Sequence, residues 1–438
     1  MSGEQDKTGT AIVRVFSIQS TANPPAVMDI SSMYSEMSYY ESIDTPAVSM
    51  TITVVDSTNL KGMLPIVGGE SIVYDFADSL PDSPSIKGVS RIFKMADRVR
   101  LKKGTDSYGL YCITNEMLRD QYDVVDEAYG PFTARDIVSK IIESYITPKF
   151  GKKLVSFDET DGMMMRTFTR VSPFTAIKYL SAEAKAEDPK SSSVFFFFEN
   201  ADGYHFRSLE SMFNQPATKT FNYSEDQLSS TGVESIFELN RITSMKEESG
   251  FDLMTGVNRG EFGVLISAYD PIAKKFTRKK YSHQDDYNKT DHAGGGKDIM
   301  SSGMSSELGS SPSFEKYIFT NSSAANIDYV VEKFPELQQT ALRRQEFLHM
   351  ETSAMARINA RTMKFAIKGD SSIRAGQTIN IFYPSSGDNI VNSSVDRLIS
   401  GKYLITALAH RCTSQGNYTT TIECTKDSYD APIRMGEV

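Results

Sequence analysis

Apolar and polar residues alternate with period two through much of the first part of the chain. The alternation is clearest in the segments Ala11–Ile18, Ser49–Val55 and Ser71–Phe76. Turn-forming residues separate these segments, among them Asn23-Pro24-Pro25 and Lys103-Gly104. Period-two alternation bounded by Pro, Gly and Asp is typical of half-buried antiparallel strands. We therefore predict a β-domain over residues 1–122, either a small barrel or a sandwich.

The apolar period then changes to that of helices. Apolar residues of Thr133–Ile146 recur at positions 134, 137, 138, 141, 142 and 145, which predicts an amphipathic helix. Thr133 is a suitable N-cap, since the acidic residue Asp136 follows it by three positions. A second helix is predicted to begin at Ser172-Pro173 and to run to about Ala186.

Four consecutive phenylalanines, Phe195–Phe198, follow these helices. A strand that is apolar at successive positions is typical of burial on both faces. The polar segment Asn200–Gly203 and a second short strand, Tyr204–Phe206, come next, so we predict a strand, a tight turn and a strand. With the two helices, this hairpin makes a small α+β module at residues 123–235.

Strand patterns return at residues 236–282 and at 362–425. Between them, residues 283–315 are rich in Gly, Ser and Asp, as in a mobile loop, and residues 336–358 have a helical pattern. The predicted fold class is therefore α+β and mainly β, with two small antiparallel β-barrel domains flanking the α+β module. The second barrel is predicted at residues 236–282 and 346–430, with 283–345 as a flexible loop and helix insertion and 431–438 as a tail.

The charge and the apolar content exclude several classes of protein. The net charge is −9, whereas proteins that grip nucleic acid usually carry a basic surplus for phosphate contacts. No segment reaches the roughly 18 apolar residues of a membrane-spanning helix, and Met1–Thr10 has no apolar signal core. We therefore expect no specific DNA binding, no membrane insertion and synthesis in the cytoplasm.

The three cysteines, Cys112, Cys412 and Cys424, are too few and too dispersed for a disulfide framework. Cys412 and Cys424 are placed to lie on neighbouring strands. We nevertheless expect three buried free thiols in a reducing compartment.

Residues suited to catalysis or metal binding are sparse. One cluster resembles metal ligands, but it lacks the fixed spacing of a metal site and falls in the predicted loop, so we interpret it as solvated. The cluster comprises His283, Asp285, Asp286, Asp291 and His292. We interpret His205 and His410, in predicted strands, as structural or interface residues. No catalytic sequence motif is present, and we predict no enzyme activity, no cofactor and no metal.

Two segments are strongly basic in spite of the acidic total. Residues 87–103 contain seven Lys or Arg and a single acid, Asp97, and residues 274–280 contain five Lys or Arg. Solvated strand faces would account for both runs, and neither lies in a nucleic-acid-reading motif. The functional alternative is docking of an acidic partner protein. The candidate docking residues are Arg91, Lys94, Arg98, Arg100, Lys102 and Lys103 in the first run and Lys274, Lys275, Arg278, Lys279 and Lys280 in the second.

Several segments, in chain order, resemble one protein family. This family is the baseplate central hub proteins of contractile-tailed bacteriophages, which are related in fold to part of type VI secretion spikes. For its first β-domain the matching residues are Glu41–Pro46, Asp56, Leu60 and Leu64–Glu70. For its middle domain they are Ser172–Ile177, Phe195–Phe198 and Gly203–Glu210. For its closing β-hairpins they are Gly369-Asp370, Ala375–Gln377, Ser400–Ile405, Tyr418–Thr420 and Lys426–Ser428.

The motif residues have local physical reasons as well. Gly68-Gly69 predicts a turn that requires positive φ, and Ala375-Gly376 and Ser400-Gly401 predict corners that precede paired strands. The turn and hairpin residues of these motifs are Pro65, Gly68, Gly69, Glu70, Gly203, Gly369, Asp370, Gly376, Gly401 and Tyr403.

The resemblance implies a structural role rather than a reaction. Such hubs are homotrimers in which each subunit contributes two tube-like β-domains, so that three subunits present a pseudo-sixfold ring. By this resemblance, the ring joins a hexameric tail tube or a tube-initiator protein above to a trimeric spike below, meets baseplate wedge proteins, and lets DNA pass through its lumen without specific binding. The chain would be part of the virion, assembled in the host cytoplasm.

Two alternatives stay open from the sequence. A tail-associated cell-wall hydrolase would need two carboxylates that face one substrate, whereas the adjacent Glu247 and Glu248 point to opposite faces of a strand. A different tail subunit, a tube initiator or a spike, is the other alternative. No extended spike-like repeat follows Asp427, which favours a hub whose spike is a separate polypeptide.

Overall fold

The fold is α+β and mainly β, as predicted. The computed structural model describes residues 9–21, 25–64, 66–80, 82–223, 240–249, 253–270, 274–294, 297–298, 307–309, 312, 314–319, 347–355, 358, 361–385, 395–396 and 398–429. The strands are β1 (Ala11–Gln19), β2 (Val27–Asp29), β3 (Tyr34–Ser42), β4 (Ser49–Asp56), β5 (Ser71–Asp78), β6 (Ile86–Lys102), β7 (Thr105–Thr114), β8 (Val125–Thr133), β9 (Leu154–Phe157), β10 (Thr160–Asp161), β11 (Met163–Val171), β12 (Lys185–Ala186), β13 (Phe195–Asn200), β14 (Gly203–Ser208), β15 (Thr220–Tyr223), β16 (Arg241–Ser249), β17 (Gly263–Asp270), β18 (Lys275–Ser282), β19 (Lys297–Asp298), β20 (Phe314–Phe319), β21 (Thr362–Lys368), β22 (Thr378–Phe382), β23 (Gly401–Thr413), β24 (Tyr418–Thr425) and β25 (Ser428–Tyr429).

The helices are short. They are α1 (Leu60–Met63), α2 (Asn115–Asp120), α3 (Ala134–Ile141) with a π-helical continuation (Ile142–Ile146), α4 (Thr147–Phe150), α5 (Pro173–Ser181), α6 (Leu209–Phe213), α7 (Leu253–Arg259) and α8 (His283–Tyr287). Residues 347–355 form a further helix, α9. Within the described residues, none of these helices has the length and apolarity to cross a bilayer.

The first seven strands form one antiparallel sheet in the order β2-β1-β5-β6-β7-β4-β3. β3 also pairs with β23, so these strands belong to one 13-stranded sheet. β2 and β3 are connected by residues 30–33 alone, so this part of the sheet has to curl back on itself. β4 buries every second residue against the core, among them Ile52 and Val54. The antiparallel strands that period-two alternation predicts in this region are therefore confirmed.

Six strands of the second half close into a ring in the order β23-β22-β15-β16-β21-β24, because β24 pairs back with β23. Phe221, Phe365 and Tyr403 fill its core. β15 comes from residues that we assigned to the α+β module, and it joins the ring because it fills the position between β22 and β16. Without β15, both of those strands would present unpaired edges.

Residues 263–282 do not belong to this ring. β17 pairs with β18 and β20 in a separate three-stranded sheet, so their predicted place in the second barrel is wrong. The physical reason is that β15, β16 and β21 already occupy the hydrogen-bonding positions of the ring. Strand character was predictable from alternation, whereas the choice of partner strand was not.

The α+β module begins its helices where the capping residues predict. The Thr133 hydroxyl accepts the N–H of Asp136 at 3.2 Å, and the Ser172 hydroxyl accepts the N–H of Thr175 at 3.4 Å. α5 ends at Ser181 rather than near Ala186, because residues 185–186 pair with β10 as strand β12. Both predicted helices are thus confirmed, the second with a shorter extent.

The phenylalanine run is buried on both faces, as predicted. All six residues of β13 are buried, and β13 pairs with β14 across the turn at residues 201–202. Phe195 and Phe197 pack into the core of the α+β module. Phe196 and Phe198 point the other way, into an apolar cluster that includes Ile43, which follows β3, and Leu404 of the ring strand β23. β13 therefore lies between the α+β module and the two β regions.

The prediction of a solvated loop is wrong for His283, Asp286 and His292, whereas Asp285 is exposed. His283 and Asp286 are only 2% and 5% exposed, and His292 Nδ1 lies 2.7 Å from Asp427 Oδ2. The ring of Tyr287 stacks on that of His292 with centroids 3.9 Å apart, which removes these side chains from water. Among the described residues, no group of three His, Cys, Asp or Glu is placed to hold a metal ion. The helix predicted at 336–358 is observed at 347–355, and residues 320–346 lie outside the described part.

Cys112, Cys412 and Cys424 are buried free thiols, as predicted. Burial raises the pKa of Cys112 and Cys412 to about 12. Cys412 and Cys424 lie on the paired strands β23 and β24, but the register places them opposite Tyr418 and Ile405 rather than opposite each other.

Candidate assembly interface

The second half of β6 has no partner on the side where β5 pairs with its first half. β5 pairs with β6 only from Ile86 to Arg91, whereas β7 accompanies it as far as Lys102. Among the described strands, no second partner lies along residues 93–102, which we call the β6 arm. The arm therefore presents an open sheet edge, the kind of surface on which another chain can add a strand.

The arm is apolar as well as unpaired. Phe93, Val99 and Leu101 are between 52% and 58% exposed. Natural edge strands are usually short or blocked, because a long exposed edge with apolar side chains promotes association. An unpaired edge of this length with three exposed apolar side chains indicates a surface that is covered in an assembly.

Most basic residues of the first run belong to the arm or its tip. Arg98 Nη2 lies 2.6 Å from Asp106 Oδ2, and Arg100 Nε lies 3.0 Å from Asp106 Oδ1. Hydrogen bonds from these two guanidinium groups lower the pKa of Asp106. Within the described residues, Lys102 and Lys103 at the tip form no ion pair. The arm therefore keeps a surplus of positive charge, although Asp106 neutralises part of it.

Arg91, before the arm, and Lys94, at its start, each contact other residues of the chain. Arg91 donates to the carbonyl of Gly69 at 2.5 Å and to Asn115 Oδ1 at 2.8 Å, so it joins β6 to the start of α2. The ammonium of Lys94 lies 5.1 Å from the ring centre of Tyr111. A β-bulge with Asp97 at φ 57° interrupts the alternation of the arm. Bulges of this kind redirect the side chains that follow.

The second basic run lies on a different sheet. Lys274 precedes β18, and Arg278, Lys279 and Lys280 lie on that strand, which is an edge of the three-stranded sheet. Arg278 Nη2 lies 3.2 Å from Glu315 Oε2, so its charge is partly matched. The side chain of Lys275 lies outside the described part. The two runs thus form separate surfaces, and their docking role stays a prediction.

The glycines of the family-like motifs shape turns beneath the surface. Gly68 and Gly69 have φ of 107° and 91°, which confirms the predicted positive-φ turn. The buried carboxylate of Glu70 accepts the N–H groups of Val67 and Gly68 at 2.9 and 3.0 Å and holds this turn closed. Pro65 lies outside the described residues.

The motif residues of the second half are also structural. A β carbon at Gly369 would overlap the ring of Tyr418, and one at Gly376 would lie 2.6 Å from the ring of Phe198. Gly203 and Gly401 begin strands β14 and β23 with positive φ, and the Tyr403 hydroxyl donates to the carbonyl of Ile399. Burial alone would raise the pKa of Asp370, but the ammonium of Lys219 and hydrogen bonds from Ser372 lower it.

A buried carboxylate that sequence reasoning missed joins three parts of the chain. Glu41 lies near the end of β3 and is 2% exposed. Its Oε1 accepts the N–H of Ala201, in the turn after β13, at 2.8 Å, and its Oε2 accepts the N–H of Ala375, before the ring strand β22, at 2.9 Å. An acidic residue within a strand pattern is expected to be exposed unless hydrogen-bond partners for it are known. The sequence did not reveal the partners of Glu41, so its burial could not be predicted, although Glu41 lies in a family-like segment.

A second buried carboxylate connects the α+β module to the first sheet. Glu199 of β13 accepts the N–H of Val48 at 3.1 Å and the hydroxyl of Thr114 at 3.0 Å, and it pairs with the ammonium of Lys152. The same ammonium lies 3.2 Å from Glu116 Oε1. These contacts fix the α+β module to the sheet that carries the β6 arm, so the arm has a defined orientation relative to the rest of the chain.

The carboxyl of Glu41 makes stability depend on pH. Burial raises its pKa to about 7, although the guanidinium of Arg374 and two backbone N–H groups oppose this rise. Between about pH 4.5 and 7 the folded chain therefore binds a proton here that the unfolded chain lacks, and stability falls as pH rises. Relative to Glu41→Gln, the wild-type free energy of unfolding should fall by about 2 kcal/mol between pH 5 and pH 7.5. Urea denaturation of both proteins at the two pH values measures this, and a difference that is constant with pH would contradict it.

The α+β module contains a cavity of about 630 Å³, lined by Asp136, Glu143 and Phe157 among others. Two carboxylates at one cavity are the minimum for glycoside hydrolysis. Burial alone would raise the pKa of Asp136, but hydrogen bonds from Arg135 and the capping residue Thr133 lower it. A general acid needs the opposite shift. Asp136 therefore lacks the pKa shift of a general acid.

Solved structures with the same fold are tail proteins. A tail protein from Neisseria meningitidis aligns with a TM-score of 0.54 at 12% identity, over 94% of this chain and 96% of that one. A 43 kDa tail protein from a Shewanella oneidensis prophage aligns with a TM-score of 0.52 at 8% identity, over 95% of this chain and all of that one. A type VI secretion system component from Escherichia coli matches with a TM-score of 0.40 at 12% identity, over 97% of this chain and 79% of that one.

No protein-family model matches the sequence, and no curated protein is significantly similar to it. Identities of 8–12% are too low to carry residue roles from the solved structures to this chain. Their coverage is nonetheless nearly complete on both sides, so the alignment includes both β regions and the module between them. The chain therefore has the fold of these two tail proteins along almost its whole length.

Proposed function

We propose that this chain is a structural hub subunit of the baseplate of a contractile phage tail. Three copies would form a pseudo-sixfold ring that joins a hexameric tail tube to a trimeric spike. The observation that carries the proposal is the alignment with a tail protein over 94% of this chain and 96% of that protein. A fold shared from end to end favours the same kind of architectural role more strongly than a shared domain would.

The geometry of the chain suits this role. The β6 arm is an open, apolar and basic edge, and rings are a natural way to cover such edges. Glu41 and Glu199 hold the three parts of the chain in a fixed arrangement, which a subunit that transmits symmetry from tube to spike requires. The net charge of −9 suits a lumen through which DNA passes without being held.

The partners of the proposed hub are the tail tube or a tube-initiator protein, the spike protein and the baseplate wedge proteins. The basic runs on β6 and β18 would be docking surfaces for acidic faces of these partners or of another copy. The protein would be a virion component, assembled in the host cytoplasm. No enzyme activity is expected, and incubation of the purified chain with bacterial cell walls should release no soluble fragments.

The ring predicts the mass of the purified protein. At micromolar concentration, light scattering should give about three times the chain mass of 48.7 kDa, and addition of its spike partner should give that mass plus the mass of the spike. Obligate rings bury large interfaces, of about 2,000 Å² or more, so the assembly should persist on dilution. A chain that stays monomeric in both conditions would contradict the proposal.

The position in the particle is tested separately. A small peptide tag on the chain, imaged by electron microscopy of purified tails, should appear at the end of the tube, between tube and spike. Density along the tube or at the spike tip would instead favour the tube or spike alternative.

A further inference from the structure

We infer that the β6 arm docks on strand β8 of a second copy of this chain, so that each contact of the ring is head-to-tail. This inference rests on the proposed ring, and it names the two surfaces that would meet. It starts from the arm's open edge and asks which surface can cover it.

The charge of the arm excludes pairing with itself. A twofold contact would place the arms of two copies side by side and bring Arg98, Arg100 and Lys102 of both together. Like charges on directly opposed strands are destabilising. The edge that covers the arm therefore has to be acidic, and a contact between unlike surfaces is head-to-tail by definition.

Strand β8 offers such an edge. It pairs only with β11 in a two-stranded sheet, so its other side has no partner among the described strands. Asp126 and Glu127 on β8 are exposed, and within the described residues neither forms an ion pair. Just before them, Tyr122 and Val124 are 60% and 44% exposed. The edge is thus acidic and apolar, which complements the basic and apolar arm.

Another acidic strand fits less well. β16 carries Glu247 and Glu248, but Glu247 Oε1 already lies 3.0 Å from Arg361 Nε, and Glu248 Oε1 lies 3.8 Å from Lys246 Nζ. These carboxylates already form ion pairs within their own chain. Asp126 and Glu127 form none within the described residues, so they gain more from a new basic partner.

The two surfaces are separate within one copy. Arg91, at the base of the arm, is hydrogen-bonded to Asn115 at the start of α2, and β8 begins five residues after α2 ends. The arm runs about 35 Å along β7 from that point to Lys102, at about 3.3 Å per residue. Each copy therefore offers a basic sheet edge and a separate acidic strand edge, the combination from which a closed ring of identical contacts is built.

Charge reversal at each surface tests the contact. In Lys102→Glu/Lys103→Glu the arm tip becomes acidic, and in Asp126→Lys/Glu127→Lys the β8 edge becomes basic. Each double variant should associate at least tenfold more weakly than the wild type in light scattering and sedimentation, since each replaces attraction with repulsion at every contact of the ring. The fourfold variant that carries both reversals restores opposite charges at the contact and should regain the wild-type mass.

A matched control separates this contact from net charge. Lys153→Glu/Lys178→Glu makes the same change of charge at two exposed positions outside both basic runs and should associate like the wild type. Urea unfolding of all variants checks that each chain is folded.

The outcomes distinguish the inference from the proposed function. A wild-type trimer whose two reversed variants remain trimeric overturns the inference and leaves the hub proposal standing. The same holds if both variants dissociate but the fourfold variant fails to reassemble while folded. A wild-type chain that stays monomeric, alone and with its spike partner, overturns both.

Discussion

Replacing Lys152 with methionine is expected to destabilise the chain by about 3–4 kcal/mol at pH 7.5. Its ammonium is the cation shared by Glu199 and Glu116, which are only 1% and 2% exposed. Removing it leaves two buried carboxylates without a counter-charge, the situation in which a broken ion pair costs most. Urea denaturation of the variant and the wild type measures the loss of free energy of unfolding.

The pH dependence identifies the cause of this loss. Burial already raises the pKa of Glu199, and without the ammonium that opposes it the pKa should rise further. The folded variant then binds a proton that the unfolded chain does not, so the variant should regain stability relative to the wild type as pH falls from 7.5 to 5. A deficit of the same size at both pH values would show that the carboxylates are not the reason.

The neighbouring lysine supplies the control. Lys153 lies closer to the surface and forms no ion pair within the described residues, so Lys153→Met makes the same chemical change one residue further along. Its free energy of unfolding should remain within about 0.5 kcal/mol of the wild type. A loss in Lys153→Met that equals the loss in Lys152→Met would mean that charge or strand propensity, rather than the buried pair, determines the result.

Replacing Phe198 with alanine is expected to lower the free energy of unfolding by about 3–5 kcal/mol. Its side chain is 1% exposed and lies in the cluster that includes Ile43 and Leu404. The ring stacks on His205 with centroids 4.9 Å apart, and Gly376 has no room for a β carbon beside it. A truncated side chain would leave a cavity between the α+β module and the two β regions, because three separate elements cannot all move in to fill it.

An exposed phenylalanine provides the control, because its replacement makes the same chemical change without removing buried contacts. Phe93 of the β6 arm is 52% exposed, so Phe93→Ala should leave the free energy of unfolding of the single chain almost unchanged. Calorimetry or urea denaturation of both variants gives the comparison. A loss below about 1.5 kcal/mol in Phe198→Ala would contradict the view that this residue holds the parts of the chain together.

Local patterns predicted the elements of this chain well. The alternation in β4, the capping residues Thr133 and Ser172, and the continuous apolarity of β13 each correspond to an observed element. Each of these signals depends on the residue's own backbone or on neighbours within one turn or one strand. These interactions involve residues that are close together in the sequence, so they can be predicted without a structure.

The sequence predicted the basic residues of the candidate interface but not its open strand edge. The sequence indicated that Lys94, Arg98 and Lys102 belong to a basic run. It did not show that β5 stops pairing with their strand at Arg91. Whether a strand is an edge depends on where a different segment stops pairing. The burial of Glu41 was hidden for the same reason, since one of its hydrogen-bond partners is Ala375, 334 positions away.

By itself the sequence therefore determined the mainly β class, the order of strands and helices, the capped helix starts and the strand buried on both faces. Only the tertiary structure decided that β15 completes the six-stranded ring, that β17 and β18 leave it, that His283 and Asp286 are buried, and that the β6 arm stays unpaired. The physical reason is that periodicity reports which face of a segment avoids water, whereas strand partners and buried ion pairs are chosen by competition among segments far apart in the chain.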